Sequence, residues 1–330
     1  MTGADSGSRE APAGRLFGVD VGGTKLRSAL ADDDGTILAE RVEPTVRDSA
    51  HGLVDRIAAA LDDLIAEVGP TSRDRPILAA GVALPVGVDP VSGELDSVHN
   101  IPGLADADRL RSDLERALGM RVALDNDANA AALGERAHGI ARGIDDFAVI
   151  ALGTGIGTGI VAGGRLIRGA RGMAGEIAFL PVGGSSSEPE PAGRPPDVLG
   201  VPAYEAQVAG PGLRDRIDAA VRSGRPTRLW IGASVGDATM LAAEGDAVAT
   251  MRVEDQARAL AVGISALVAL LDPELIVLSG GVGSLPGLLE PVRRHLARIV
   301  RVAPRIETGL LGDRGPLVGA LELARLELAD

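Results

Sequence analysis

The sequence predicts an α/β fold of two lobes around a cleft. Three observations predict it. Two strand–glycine-rich turn–strand units, over 16–30 and 146–161, stand in separate halves of the chain and echo one another. Between and after them, amphipathic helical patterns alternate with short apolar runs of strand length. A polar junction, Asp125-Asn126-Asp127, joins an apolar run to an Ala-rich helical run. With 330 residues the chain can form two domains and a large core.

Composition narrows the function classes. Hydrophobic residues make up 45% but aromatics only 2%, so Ala, Val, Leu and Ile must build the core. The net charge of −13 argues against a non-specific grip on nucleic acid or on an anionic membrane. No cysteine is present, which excludes disulfides and thiolate metal sites. The four histidines, at 51, 99, 138 and 295, include no pair at ligand spacing. No apolar run is long enough to span a bilayer, and no signal-peptide core opens the chain. A cytoplasmic location is expected. Residues 1–14 are small and polar and predict a disordered tail with no helix-turn-helix.

In the first unit, apolar strands flank Gly22-Gly23-Thr24-Lys25, and a third strand is expected over 36–42. Gly-Gly alone makes a hairpin turn. Asp20 before the turn, with Thr24 and Lys25, is more than a hairpin needs. Glycine lets backbone approach a phosphate, and Thr and Lys add donors. The spacing is not that of the Walker loop, so phosphate binding and a plain turn both stand here. Residues 51–68 then predict a one-faced helix, 77–84 a buried strand and 110–118 another helix. Asn100, before Ile101-Pro102-Gly103, sits on a loop of a kind that contacts substrates, or is a turn residue. His99 reads as an ordinary loop histidine.

The junction admits two readings as well. Asn and Asp cap helices because their side chains bond nearby backbone N–H groups. A cap needs one such residue, and this junction offers several. Asp127 is therefore either a catalytic base at the mouth of the cleft or, like Asn126, a cap. The helix it opens runs to His138. The second unit, Gly153-Thr154-Gly155-Ile156-Gly157-Thr158-Gly159, is poor strand material without a ligand. Further helices are expected over 212–221, over 238–244 with a cap at Ser234–Asp237, and over 253–271. A strand over 275–278 precedes Ser279-Gly280-Gly281, and Gly315-Pro316 opens a last helix.

The ordered set Asp20-Val21-Gly22-Gly23-Thr24-Lys25, Asn100-Ile101-Pro102-Gly103, Asn126-Asp127-Ala128-Asn129, Gly153-Thr154-Gly155-Ile156-Gly157 and Gly172-Met173-Ala174-Gly175-Glu176-Ile177 closely resembles the ROK family of repressors and sugar kinases. The resemblance runs from about Arg15 to the end. It implies the actin-like ATPase fold of the hexokinase superfamily. The N-terminal lobe would be 15–125, completed by a C-terminal helix over 315–330, and 126–314 would form the second lobe. It implies transfer of the ATP γ-phosphoryl group to a hexose or amino-hexose hydroxyl. Asp127 would take the hydroxyl proton, and Asn100, Asn126, Glu176 and Glu205 would hold the sugar. Gly22, Gly23, Thr24, Lys25, Gly153, Thr154, Gly155, Gly157 and Thr158 would line the phosphates. Asp20 would lie near Mg²⁺ through water, and Gly280 and Gly281 would approach adenosine. A homodimer is implied too.

Two departures bear on that reading. The family usually has Gly-Glu-Ile-Gly-His followed by a cysteine cluster, which together hold a structural zinc. Here Gly175-Glu176-Ile177-Ala178-Phe179 precedes a Pro/Ser/Glu-rich segment over 183–196, so a zinc-free variant is expected. Phenylalanine cannot bind metal or accept a sugar hydrogen bond. Phe179 is expected to be a core aromatic filling the vacated space. The alternative to a kinase is a non-catalytic sugar sensor lacking a DNA-binding domain. Such a sensor would not need phosphate-gripping turns.

Overall fold

Antiparallel pairing starts the fold. A computed structural model describes residues 14–46, 49–69, 75–96, 109–181 and 203–328. The expected tail at 1–13, His99, Asn100 and the segment over 183–196 lie outside the described residues. Strand β1 (Arg15–Val21) pairs with β2 (Lys25–Asp32), and β2 with β3 (Ile37–Pro44). Parallel strands β4 (Ile77–Leu84) and β7 (Arg121–Asn126) complete a sheet of order β3-β2-β1-β4-β7. Helices α1 (Ala50–Val68) and α2 (Leu110–Leu118) cover one face with Leu53, Ile57, Leu64 and Leu114. Ser49 caps α1, its Oγ accepting from Gly52 N at 3.0 Å. A small β5 (Gly87–Val88) and β6 (Leu95–Asp96) ribbon follows β4.

The second sheet repeats the plan. Strands β8 (Phe147–Leu152), β9 (Ile156–Ala162) and β10 (Arg165–Leu166) pair antiparallel, and β11 (Leu275–Ser279) and β12 (Arg305–Thr308) add in parallel. The order β10-β9-β8-β11-β12 matches the first sheet strand for strand. Each sheet thus has one glycine-rich turn between its first two strands, which is the duplication read from the sequence.

Helix α3 (Asp127–His138) and α10 (Gly315–Glu327) form the layer between the sheets. Helix α10 packs on β1, β4 and α3, while α3 packs on β8 and β9. Small residues allow this. A Cβ on Gly319 would stand 1.6 Å from the Ala130 carbonyl oxygen, so only glycine lets α10 lie this close to α3. Leu321 is 2% exposed on α10, and its truncation to alanine would cost about 2–5 kcal/mol.

The remaining helices back the second sheet: α4 (Ala203–Val208), α5 (Gly210–Arg222), α6 (Val235–Ala243), α7 (Ala247–Leu271), the short α8 (Gly280–Gly283) and α9 (Leu289–Leu296). Ser234 and Asp237 form the expected cap of α6 as a reciprocal capping box. Helix α7 starts six residues before the expected 253, because Asp246 accepts from Val248 N and Ala249 N and caps it there. No helix of the described residues is long and apolar enough to cross a membrane.

Candidate active site

The β7–α3 junction assigns its polar residues separate tasks. Asn126 is the cap: its Oδ1 accepts from Ala128 N at 2.8 Å and Asn129 N at 3.3 Å. Its Nδ2 donates to the Val86 carbonyl at 3.3 Å, which fixes the amide against the loop after β4. Asp127 is the first residue of the helix. Burial pushes its carboxyl up to about 6, while the N–H groups of Ala128 and of Asp127 itself oppose the rise. A carboxylate with this pKa is ionised at neutral pH yet basic enough to take a proton.

The turn between β1 and β2 closes with Gly22 N donating to the Lys25 carbonyl at 2.9 Å. Thr45 braces it: its Oγ1 donates to Gly22 O at 2.7 Å, and its N–H to Thr24 O at 3.1 Å. Thr24 and Lys25 are exposed, and Gly22 and Gly23 are half-buried. Asp20, just before the turn, has its carboxyl pushed up to about 7. Burial is the main cause, and the Asp127 carboxylate adds to it. Arg27, the register partner of Asp20 across the hairpin, opposes the shift, and Asp313 reinforces it. The Arg27 guanidinium is itself held by Glu40 at 2.8 Å and Asp313 at 2.6 Å.

The second glycine-rich turn reaches the same place from the other sheet. A Cβ on Gly159 would stand 2.2 Å from the Ala128 carbonyl oxygen, so β9 lies directly against the first turn of α3. The second hairpin thus lies beside the start of α3, and the first is linked to Asp127 through Asp20, which feels its charge. Thr154 is exposed, and Gly153, Gly155 and Gly157 are half-buried. Thr158 stands apart, with its side chain buried and its Oγ1 without a hydrogen-bond partner. Gly210 N, opening α5, donates to Gly153 O at 2.9 Å. Gly280 backs onto Leu152 at the base of the turn, and Gly281 is exposed.

Glu205, on α4, is placed against this turn. Its Oε2 accepts from Ile156 N at 2.9 Å, and burial raises its carboxyl while that N–H lowers it. Glu176 follows the loop after β10. The loop is pressed against both lobes: Cβ atoms on Gly172 and Gly175 would stand 2.0 Å from Val88 O and 1.9 Å from Thr158 O. After Glu176, a 3-10 turn (Ile177–Phe179) buries Ile177 and Ala178. Phe179 corrects the sequence reading. It is 56% exposed and fills no core space, because this turn points its third side chain outward.

Among the described residues no three His, Asp or Glu side chains converge as a protein-only metal cage. Magnesium with a nucleotide needs less, since phosphate oxygens and water fill most of its shell. Asp20, a buried carboxylate whose ionisation the Asp127 charge opposes, is of a donor type that suits such a cation.

Comparison with known proteins decides the family. The ROK family model matches residues 16–327. The chain belongs to the ROK family. A glucokinase of Streptomyces coelicolor is 30% identical over 94% of this chain and 98% of its own. A ROK hexokinase from Thermus thermophilus superposes with a TM-score of 0.74 at 33% identity, over 96% of this chain and 99% of that one. A ROK glucokinase from Streptomyces griseus, solved with glucose and AMPPNP, gives 0.73 at 30% identity, over 95% and 100%. The fold is the actin-like, two-lobed α/β fold of these ROK enzymes.

Sequence reasoning passed over three residues around this ROK site. Arg27 was legible: with a turn centred on Gly23-Thr24, it falls opposite Asp20. Asp313 was not, because it arrives from 286 residues further along the chain. Asp125 was seen only as one of several polar junction residues. Its side chain is 2% exposed and paired with Arg168.

Proposed function

We propose that this chain is an ATP-dependent carbohydrate kinase that transfers the γ-phosphoryl group to a hexose hydroxyl, with Asp127 as general base. The observation that carries the reading is the place of Asp127. A burial-raised carboxyl heads α3, with β9 packed on that helix's first turn and Asp20 of the first hairpin near enough to feel its charge. Membership of the ROK family, and relatives described as glucokinases, one with glucose and an ATP analogue, support the substrate classes.

Phosphoryl transfer asks mainly for positioning and charge screening. The hydroxyl proton passes to the Asp127 carboxylate as the hydroxyl oxygen bonds the γ-phosphorus. The bond to the β–γ bridging oxygen breaks, and ADP leaves. The glycine-rich turns Gly22–Lys25 and Gly153–Gly157 let the phosphates approach closely, with Thr24, Lys25 and Thr154 as donors. Gly280 and Gly281 leave room for adenosine. Asn126, Glu176 and Glu205 hold the sugar, with Glu205 also bracing the second turn. Magnesium supplies charge screening on the phosphates when bound, and Asp20 would hold it through water. A structural zinc is not expected here, since Phe179 stands where the resemblance to the family places a histidine ligand. The lobes divide at 126, with 315–330 completing the first.

The test is ADP release measured against a panel of hexoses and amino-hexoses. Wild type should turn over at least one sugar, and Asp127→Ala should lower kcat by about 10²–10⁴. Sugar binding without ADP release for any panel member would instead identify a non-catalytic sensor.

A further inference from the structure

Asp125 lies beside the proposed base but does no chemistry in that reading. It is among the most buried charges of the described residues, and both its carboxylate oxygens accept hydrogen bonds. Its Oδ1 accepts from Asn126 N at 2.8 Å and from Asn129 Nδ2 at 2.8 Å. Its Oδ2 accepts from Arg168 Nε at 2.6 Å. Asn129 is on the first turn of α3 and is 2% exposed. Arg168 comes from the other sheet, just after β10. One carboxylate therefore joins the end of β7, the start of α3 and the loop over 167–176.

That loop is the one carrying Glu176. The loop closes on Arg168, whose carbonyl accepts from Ala174 N at 3.0 Å, and the residue before it is anchored to β9 by Ile167 N donating to Ile160 O at 2.8 Å. A movement of Arg168 therefore moves 174–176 relative to α3. A buried ion pair is weak evidence for stability, since well-packed apolar residues often do as well. A short, directional Nε–Oδ2 hydrogen bond is instead suited to fixing geometry. A displacement of about 1 Å at a reacting centre can cost about 100-fold in rate.

We propose that Arg168 and Asp125 are positioning residues, whose ion pair sets the sugar-holding loop against the proposed base. The inference rests on the kinase reading for what the loop holds. Arg168 touches neither sugar nor nucleotide in this account and acts through the backbone of 174–176.

The experiment uses the full chain and three variants: Arg168→Lys, Arg168→Met, and the double variant Asp125→Asn/Arg168→Met. D-glucose and the panel hexose with the highest turnover are titrated by calorimetry without nucleotide. KM values for hexose and ATP, kcat and the thermal midpoint are measured in parallel. Arg168→Met should weaken hexose binding at least tenfold and lower kcat, while KM for ATP changes less than twofold. Arg168→Lys, which keeps the charge, should fall between it and wild type. The double variant removes the unpaired buried charge, so its thermal midpoint should recover while its hexose affinity does not. Recovery of hexose affinity together with stability would reduce the pair to a structural role and overturn the proposal. Equal losses for hexose and ATP would do the same. Wild type that binds hexose without ADP release would defeat the kinase reading alone, leaving the calorimetric comparison to decide the positioning role. Wild type that binds no panel sugar would defeat both.

Discussion

Asp20, at the end of β1, carries a carboxyl pushed up to about 7, in part by the charge of Asp127 at the head of α3. The charge on one segment thus shifts a carboxyl on another that is more than 100 residues away in the chain. In the proposed reaction Asp127 must be ionised to accept a proton. With its carboxyl near 6, kcat/KM at saturating magnesium should rise with pH and level off above about pH 6–7. Asp127→Asn should remove most activity at every pH, which a pH–rate profile of both proteins checks.

The same shifts make a stability prediction with a definite sign. Both folded carboxyls titrate above the ordinary 3.8, so between about pH 4 and 7 the ligand-free folded chain holds protons that the unfolded chain has lost. Their contribution is fully present below pH 4 and is lost as pH rises through 6 and 7. Asp20→Asn should therefore stabilise the ligand-free protein at pH 8 by about 0.5–2 kcal/mol. Little gain is expected at pH 4. Thermal melts at the two pH values read it out, and the variant should at the same time lose activity and need more magnesium.

Glu205 offers a separate handle on the second turn. Its carboxylate is the acceptor for Ile156 N, and hydrogen bonds to a charged group contribute about 1.5–3 kcal/mol. Glu205→Ala should loosen the turn and raise KM for ATP about tenfold. Glu205→Gln, which keeps an acceptor oxygen, should raise it less. Initial rates at varied ATP with fixed hexose distinguish the two.

Phe179 should be dispensable for folding. An exposed side chain contributes little burial, so Phe179→Ser is expected to change stability by no more than about 0.5 kcal/mol. A chemical denaturation curve of the variant checks this.

What could be read from residues alone divides by sequence distance. The glycine-rich turns, the strand at Ile77–Leu84 and the helix at Leu110–Leu118 announce themselves through local periodicity and turn chemistry. So does the α6 cap at Ser234 and Asp237. Phe179 was misjudged because its direction depends on a single 3-10 turn, which periodicity does not resolve. Strand β12 gave no local signal: Arg305–Thr308 is a short, half-polar segment that becomes a strand by pairing with β11. The Asp125–Arg168 pair and the approach of Asp313 to Arg27 depend on how the two sheets face, which no local pattern encodes.

Glu135 shows how α3 is fastened to the chain that enters α10. The residue is fully buried, and its carboxylate accepts from Ile140 N at 2.9 Å, Leu311 N at 3.0 Å and Leu310 N at 3.4 Å. These donors belong to the end of α3 and to the segment before Gly315. Removing the carboxylate would leave buried N–H groups without their acceptor, at about 1–3 kcal/mol each. It would also open a void beside Gly139 and Gly309, which both pack on this side chain. Glu135→Ala should therefore lower stability by about 3 kcal/mol or more, among the larger single-residue effects in the chain. Glu135→Gln keeps one acceptor oxygen and should cost less. Hydrogen exchange gives the sharper measurement: protection of the amides at 310 and 311 should fall in Glu135→Ala, while amides in the β1–β4 core keep theirs.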